Sequence, residues 1–308
     1  MRGFLEISNN VKLCLCTATA QSNELKVITI GDWGEILLQA QDRVAAAMAT
    51  WAEANNPAFI ITTGDNIYPK GLRSPDDPQM IRKWYDVYRN ESLVILDWYV
   101  SLGNHDYGDL DGVEWNEVGF GELEPRWILP HLWHDRLVNV GDHSVLFLII
   151  DTEAFRNQIN NYTDMLVWMN QKLRDTTADW KFVIGHRTAY SAGDHGPVTL
   201  EILDVLLPIM ERHNVDAYIC GHDHNLQHIR SVAGTGMDFV VNGAGGALLY
   251  LYSAANEQTL LNVYQMETVF FLMTYGFVTM KTSLSQVVFD YFDDDGSLVY
   301  TFTRSHIL

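Results

Sequence analysis

Cysteine, basic residues and long apolar runs are all scarce in this sequence. Three cysteines occur in 308 residues, too few for the disulfide framework that stabilises small secreted domains. Lysine and arginine number 20 against 39 acidic residues, which gives a formal net charge of -19. Such a chain repels nucleic acid, and no segment reaches the ~18 apolar residues of a membrane span. We therefore expect neither a nucleic-acid partner nor a membrane span.

The remaining composition is that of an ordinary folded protein. Hydrophobic residues make up 47% and charged residues 19% of the chain, enough apolar material for a large core. An anionic substrate could still bind this acidic chain if metal ions reverse the local charge. A phosphate site is therefore expected to rest on metals rather than on arginine and lysine.

The first 24 residues are predicted to be a leader ahead of a single catalytic domain at residues 25–308. Residues 11–20 are mostly small or apolar and end in Ala-Thr-Ala, which is typical of a signal-peptidase site. Polar residues interrupt this segment, so a leader that packs poorly is an equally good interpretation. Sequons at Asn90 and Asn161 favour glycosylation and a secretory route.

Apolar, β-branched segments alternate with amphipathic segments over most of the chain, and mostly β-forming segments follow. Strands are predicted at 25–30, 58–63, 98–102, 180–184, 215–220 and 237–241, two strands within 137–151, helices at 36–55, 80–88, 162–175 and 200–213, and a β-meander at 277–304. This order predicts an α/β fold with a mixed sheet and no linker or repeat.

Five of the predicted strands end in glycine followed by a residue type that binds metals. The residues at these ends are Asp32, Asp65, Asn104, His186, and His222 with His224. Glycine allows a sharp turn without bulk near the site, and the ends of neighbouring strands converge on one crevice. Alternate residues of an extended strand point the same way, so His222 and His224 can reach neighbouring metals. The ordered set therefore predicts a two-metal site.

This ordered set resembles the motifs of the calcineurin-like metallophosphoesterase superfamily. Gly64-Asp65-Asn66-Ile67-Tyr68 is similar to the Gly-Asp-x-x-Tyr motif of the purple acid phosphatases. The resemblance runs from about Lys26 to the C-terminus and is strongest to the small, mammalian-type (tartrate-resistant) enzymes. It implies two mixed β-sheets packed as a sandwich and flanked by helices, in the layer order αββα.

The resemblance also implies a ligand set and a metal pair. The implied ligands are Asp32, Tyr68 and His224 for a first metal, Asn104, His186 and His222 for a second, and Asp65 as the bridge. A phenolate suits ferric iron, and its charge transfer would make the protein violet. The second set suits a divalent ion such as Fe, Zn or Mn.

The implied activity is that of an acid phosphatase, in which a metal-bound hydroxide attacks a phosphomonoester in line. His195 matches the residue that assists the leaving group, and His105 matches one that contacts the phosphate. Protonated imidazoles suit both roles in acid. Asp106 and Asp194 either orient these histidines or stabilise their loops. The resemblance further implies small phosphorylated substrates. We also expect a monomer and, from the leader and the two sequons, a secreted or lysosomal or vacuolar location.

Some features depart from the family, and two other functions remain open. The segment from Glu153 to Thr163 is short and lacks the cysteine of the protease-sensitive loop in mammalian-type members, so we expect no activating cleavage and no disulfide there.

One alternative is a non-purple metallophosphoesterase, acting on phosphodiesters or nucleotides. Tyr68 argues against it. The other is an inactive scaffold of the same fold, against which stand the seven filled ligand positions.

Overall fold

The computed structural model describes residues 23–35, 39–109 and 112–306, and strands dominate it. The strands are β1 (Leu25–Ile30), β2 (Phe59–Thr62), β3 (Trp98–Tyr99), β4 (Trp127–Ile128), β5 (His134–Val140), β6 (His143–Ile149), β7 (Trp180–Ile184), β8 (Ala217–Cys220), β9 (Leu226–Ser231), β10 (Asp238–Asn242), β11 (Met266–Leu272), β12 (Gly276–Thr282), β13 (Gln286–Asp293) and β14 (Leu298–Ser305). Every predicted strand is present, whereas β4, β9 and β11 were not predicted. The leader lies almost entirely outside the described residues.

The helices are short apart from two. They are α1 (Ala40–Asn55), α2 (Glu91–Val94), α3 (Asn104–Tyr107), α4 (Trp115–Leu123), α5 (Thr152–Asn157), α6 (Tyr162–Asp175), α7 (Leu207–Arg212) and α8 (Ala254–Thr259), with π-helical segments at Ile81–Tyr85, Ile202–Leu206 and Leu260–Tyr264. The helix predicted at 162–175 is confirmed to the residue. The helix predicted at 80–88 is wrong in extent, because only one π-helical turn forms there. Residues 36–38 of the first predicted helix lie outside the described residues.

Two seven-stranded sheets face each other. Their strand orders are β14-β13-β12-β1-β2-β3-β4 and β11-β9-β10-β8-β7-β6-β5. Strands β1 to β4 are parallel neighbours in the first sheet, and β6, β7, β8 and β10 are parallel in the second. Both sheets are mixed because antiparallel strands complete their edges. The predicted fold of two mixed sheets is confirmed.

Three apolar clusters hold the layers together. Val27 and Ile61 of the first sheet meet Phe147 and Ile219 of the second in the central cluster. Helix α1 covers the outer face of the first sheet, and α6 and α7 cover that of the second. The layers are therefore αββα, and the carboxyl ends of the parallel strands open onto one crevice.

Two of the composition-based expectations can be examined directly. None of the described helices is long and apolar enough to cross a membrane. Cys220 is a buried free thiol at the end of β8, and the other two cysteines lie outside the described residues.

Candidate metal centre

The seven predicted ligand residues lie together at the carboxyl ends of the parallel strands. Asp32 follows β1, Asp65 and Tyr68 follow β2, Asn104 follows β3, His186 follows β7, and His222 and His224 follow β8. All are buried except Asn104, which is partly exposed. The fold thus brings together residues that are up to 192 positions apart in the chain.

The backbone at this crevice is strained at three of these positions. Asp32, Asp65 and His222 have φ angles of 56°, 52° and 67°, in the left-handed region that non-glycine residues rarely adopt. Each such residue costs on the order of 1–3 kcal/mol, and the strain persists where the surroundings impose it. Backbone strain of this kind clusters at functional sites.

The first group of ligand atoms surrounds the phenol of Tyr68. Its Oη lies 3.2 Å from Asp32 Oδ1, 3.1 Å from Asp65 Oδ2 and 3.1 Å from His224 Nε2. Ligand atoms of Asp32, Asp65 and His224 all lie within 4.8 Å of one another. Two carboxylates, a phenol and an imidazole therefore converge on one small volume.

The second group surrounds His186. Its Nε2 lies 3.4 Å from Asp65 Oδ2, 3.2 Å from Asn104 Oδ1 and 3.2 Å from His222 Nδ1. Asp65 Oδ2 thus belongs to both groups. A carboxylate in this position has the geometry required of a bridge between two cations.

Backbone carbonyls set the orientation of two imidazoles. The Nδ1–H of His186 donates to the Thr63 carbonyl at 3.0 Å, and that of His224 donates to the Leu248 carbonyl at 2.6 Å. Both rings consequently direct Nε2 into the cluster. Such outer hydrogen bonds fix the tautomer of a metal-binding histidine.

Two glycines are required by the close approach of the loops. A Cβ on Gly64 would lie 2.8 Å from His186 Nδ1, and Gly64 has a φ of 90°. A Cβ on Gly103 would lie 2.2 Å from Asp65 Oδ1. These positions explain why glycine precedes the ligand residues in the sequence pattern.

Asp106 holds the loops rather than an imidazole. Its carboxylate accepts from the backbone N–H groups of Gly103, Asn66 and Ile67, all at 2.8–2.9 Å. Burial, together with the charge of Asp65, raises its pKa to about 6 despite these hydrogen bonds. Of the two roles that the sequence left open, the structure supports loop stabilisation.

The chemistry of the donor set fits a pair of hard or borderline cations. Burial, reinforced by the charges of Asp65 and Asp32, raises the pKa of Tyr68 well above its usual value. The phenol therefore needs a nearby cation to ionise, and a bound metal supplies one. Oxygen and imidazole donors without thiolate suit ferric iron and divalent Fe, Zn or Mn.

The two predicted catalytic histidines lie at the mouth of the crevice. The ring of His105 lies 4.2 Å from that of Tyr68, and its Nδ1 contacts the Pro69 carbonyl at 2.7 Å. The exposed His195 stacks on His222 with 4.0 Å between ring centroids. Both side chains therefore border the ligand cluster on its solvent side.

Sequence reasoning missed three further residues beside the cluster. Arg187 Nη1 lies 2.9 Å from His222 Nε2 and pairs with the buried Glu153. Tyr250 stacks on His224 at 4.2 Å between centroids. For Arg187, its position directly after His186 was a signal in the sequence. For Tyr250 there was none, because it belongs to a loop without a recognisable pattern.

Comparison with known proteins agrees with this geometry. The calcineurin-like phosphoesterase family model matches residues 25–226. Purple acid phosphatase 4 of Arabidopsis thaliana is 30% identical, over 99% of this chain and 92% of that protein. Tartrate-resistant acid phosphatase type 5 of Sus scrofa is 29% identical, over 74% and 72% of the two chains.

A solved structure shows the same fold at lower identity. GAP50, described as the anchor in the inner membrane complex of Plasmodium, has a TM-score of 0.76 and 22% identity, with 92% of this chain and 89% of that chain covered. At this identity the likeness extends to the fold alone.

The fold and the cluster at the strand ends define a metallophosphoesterase. The chain belongs to the calcineurin-like phosphoesterases and, within them, to the purple acid phosphatases. It is accordingly a metal-dependent enzyme that hydrolyses phosphoesters.

Proposed function

We propose that this protein is an acid phosphatase that hydrolyses phosphomonoesters at a binuclear centre of ferric iron and divalent Fe, Zn or Mn. One observation carries the proposal: Tyr68 Oη lies within 3.2 Å of Asp32, Asp65 and His224. A phenol that can ionise, together with two carboxylates, is a good ligand set for a trivalent cation. The second group, which is built from neutral donors and a shared carboxylate, suits a divalent ion.

The proposed roles of the residues follow from their positions. Asp32, Tyr68 and His224 would hold the first metal, Asn104, His186 and His222 the second, and Asp65 both. When bound, the metals would neutralise the phosphate charge and lower the pKa of water.

The two outer histidines would act on the substrate directly. His105, one third of whose side chain is exposed, would donate a hydrogen bond to a phosphate oxygen. His195 would donate a proton to the departing alcohol oxygen. Both roles need little beyond positioning, because phosphoryl transfer demands orientation and charge stabilisation more than covalent help.

We further propose the molecular context. Residues 25–308 would form one catalytic domain behind the leader at residues 1–24, and the protein would be a monomer that follows a secretory route to a lysosomal, vacuolar or extracellular location. Asn90 and Asn161 are both exposed, as glycosylation requires. Helix α5 and the start of α6 occupy most of the segment 153–163, which supports the absence of activating cleavage.

The decisive experiment is a visible spectrum of the purified protein with metal content measured on the same sample. We expect a broad violet band and about two metals per chain, as purple acid phosphatase chemistry requires. Tyr68→Phe should lose the band and keep most of the metal. A colourless protein with two Mn or Zn ions would contradict the ferric centre and favour a non-purple metallophosphoesterase.

Substrate class is tested on the same preparation. We expect turnover of p-nitrophenyl phosphate to exceed that of bis(p-nitrophenyl) phosphate at acidic pH. The reverse preference would contradict the monoesterase proposal. A protein that binds metals but hydrolyses neither ester would point to the inactive scaffold.

A further inference from the structure

An apolar loop segment borders the first half of the metal centre. It comprises residues 248–252, Leu-Leu-Tyr-Leu-Tyr, which we call the apolar rim; it follows β10 and forms neither helix nor strand. Leu248, Leu251 and Tyr252 are 65%, 62% and 48% exposed. Adjacent exposed apolar side chains often mark a surface that binds something, and loops beside a rigid scaffold are common places for binding.

Hydrogen bonds hold the backbone of the apolar rim against the loops of the centre. The Tyr250 N–H donates to the His224 carbonyl at 3.0 Å, and His224 Nδ1 donates to the Leu248 carbonyl at 2.6 Å. Just beyond the rim, the Ser253 N–H donates to the Ala192 carbonyl at 2.7 Å. Because the backbone is held at both ends, the exposed side chains keep a defined place beside the centre.

The ring of Tyr250 connects the apolar rim to the residue that would protonate the leaving group. It stacks on His224 at 4.2 Å between centroids and lies edge to face with His195 at 5.0 Å. An alcohol that takes its proton from His195 therefore departs next to the rim. Tyr252 extends the apolar surface outward, since its ring lies 5.2 Å from that of Phe271 on β11.

The part of the chain that carries the apolar rim has no basic residue. Residues 231–280 contain neither lysine nor arginine, but they do contain Asp238, Glu257 and Glu267. A substrate with further phosphates would gain no charge pairing from this segment. An apolar alcohol needs none, because it binds by removal of its surface from water.

The surface on the Asn104 side of the centre is polar by contrast. Helix α3 begins at Asn104 and ends at Tyr107, and Tyr107 lines a cavity of about 410 Å³ together with Asp109, Glu114 and Asn160. Glu114 accepts from Asn160 Nδ2 at 2.7 Å. A polyol would find hydrogen-bond partners there, so the two sides of the centre make opposite predictions about the substrate.

We infer that the apolar rim binds the alcohol part of the substrate, and that the preferred substrates are phosphomonoesters of apolar, aliphatic alcohols. The inference rests on the proposed function, because it concerns the alcohol which that reaction releases. The P–O bond to the alcohol breaks, water supplies the new oxygen on phosphorus, and the alcohol oxygen takes the proton from His195. The rim touches the alcohol equally in the ground state and in the transition state, so it should lower KM and leave kcat unchanged.

Ethyl phosphate and n-hexyl phosphate are suitable probes, because their leaving groups are equally acidic and differ only in four methylenes. A fully buried methylene contributes about fourfold in affinity, and a rim that covers one side of the chain should contribute about twofold. We therefore expect kcat/KM of the metal-loaded enzyme to be about 10–20-fold higher for hexyl phosphate, through KM. Equal values for the two esters, or a difference in kcat alone, would overturn the inference.

A matched pair of variants assigns the preference to the apolar rim. Leu251→Gln should lower the hexyl-to-ethyl ratio of kcat/KM by about threefold or more, and a general loss of activity cancels from this ratio. The control is Leu137→Gln, which alters a leucine that is 48% exposed on the edge strand β5 and should leave the ratio unchanged. An unchanged ratio in Leu251→Gln, or an equal fall in both variants, would contradict the role of the rim.

Alkylphosphonates test the same idea without turnover, because their C–P bond is not hydrolysed. In calorimetric titrations of the protein loaded with two zinc ions, hexylphosphonate should bind about 10-fold more tightly than ethylphosphonate. Its heat-capacity change on binding should also be more negative, which marks burial of apolar surface. If 2,3-dihydroxypropylphosphonate binds more tightly than hexylphosphonate, the inference is wrong and the polar cavity beside Asn104 holds the alcohol.

The outcomes also separate this inference from the proposed function. If hexylphosphonate binds more tightly as expected but no phosphomonoester is hydrolysed, the proposed function fails and the inference about the ligand stands. If ethyl phosphate and hexyl phosphate are hydrolysed equally well, the inference fails and the function stands.

Discussion

The two halves of the metal centre share one sheet edge and one carboxylate, yet they differ in charge. The first half offers Asp32 and the phenol of Tyr68, both able to bear a negative charge. The second half offers the amide of Asn104 and two imidazoles, none of which can bear the negative charge of a carboxylate or phenolate. Among residues 23–35, 39–109 and 112–306, a guanidinium contacts a ligand residue in the second half, where Arg187 Nη1 lies 2.9 Å from His222 Nε2.

The difference shows how one fold can favour two unlike cations. Charge accumulated in the first half favours a trivalent ion, whereas neutral donors next to a positive group permit no more than a divalent one. Both halves nevertheless orient a histidine in the same way, through a backbone carbonyl. Ligand type, rather than scaffold, therefore distinguishes the halves.

The largest loss of metal and activity is expected from substitution of Asp65, the carboxylate that both halves share. Because Asp65 Oδ2 faces both groups, Asp65→Ala should lower metal content from about two ions to less than one and reduce kcat/KM by at least about 10³-fold, since groups that act as a unit fail together. Elemental analysis and steady-state kinetics measure this. Asp290→Ala, which removes a buried carboxylate that pairs with Lys281 on the β12–β13 hairpin, serves as the control. Retention of two metals in Asp65→Ala would show that the halves do not depend on a shared ligand.

A crossed pair of variants should separate the halves. His186→Ala should lose the second metal and on the order of 10²-fold or more of the activity, while the violet colour of the first half remains. Tyr68→Phe should lose the colour and retain the second metal. Absorption spectra and metal analysis on both variants measure the contrast. Loss of colour in His186→Ala would mean that the two halves fold or load only together.

A smaller effect is expected from His195, which stacks on His222 of the second half. His195→Asn should lower turnover of an alkyl phosphate by about 10–100-fold and that of p-nitrophenyl phosphate only a few-fold, because a good leaving group needs no proton. Turnover of both esters is compared with that of His213→Asn, which alters a histidine bonded to Asn170. Equal losses on both esters would exclude the role as an acid.

Much of this centre was predictable because its ligands lie next to strand ends. Gly64 and Gly103 mark the sequence where two loops approach too closely for a Cβ, so the pattern and the structure have one cause. The apolar runs at 25–30 and 180–184 predicted buried strands with correct bounds.

Other parts could not be predicted, for physical reasons. Strand β11 forms the edge of its sheet and carries threonine and glutamate among its apolar residues, so no clear period marks it. The partners Arg187 and Glu153 are 34 residues apart, and a pairing at that distance depends on tertiary packing rather than on local pattern. The contact between Tyr250 and His224 likewise depends on tertiary packing, so the sequence pattern does not predict it.

The smallest effect on activity, and the clearest effect on stability, is expected from substitution of Asp151, whose carboxyl group lies next to the second half of the centre. Asp151 is fully buried, accepts from Tyr107 Oη at 2.5 Å, and caps α5, the helix that carries Glu153. Burial raises its pKa to about 7, although the hydrogen bond from Tyr107 and those from the helix N–H groups lower it. The unfolded chain has an ordinary pKa near 3.8, so the native state binds more protons between about pH 4 and 7.

The native state should therefore lose stability as pH rises through this range. Asp151→Asn keeps an acceptor for the helix N–H groups but cannot ionise. Relative to the wild type, it should gain on the order of 2–4 kcal/mol between pH 5 and pH 8. Denaturant unfolding at the two pH values measures this, with Asp86→Asn, on an exposed turn, as the control. An equal pH dependence in Asp151→Asn and the wild type would show that Asp151 is ionised in the native protein, and that helix α5 is supported by a charge rather than by a neutral cap.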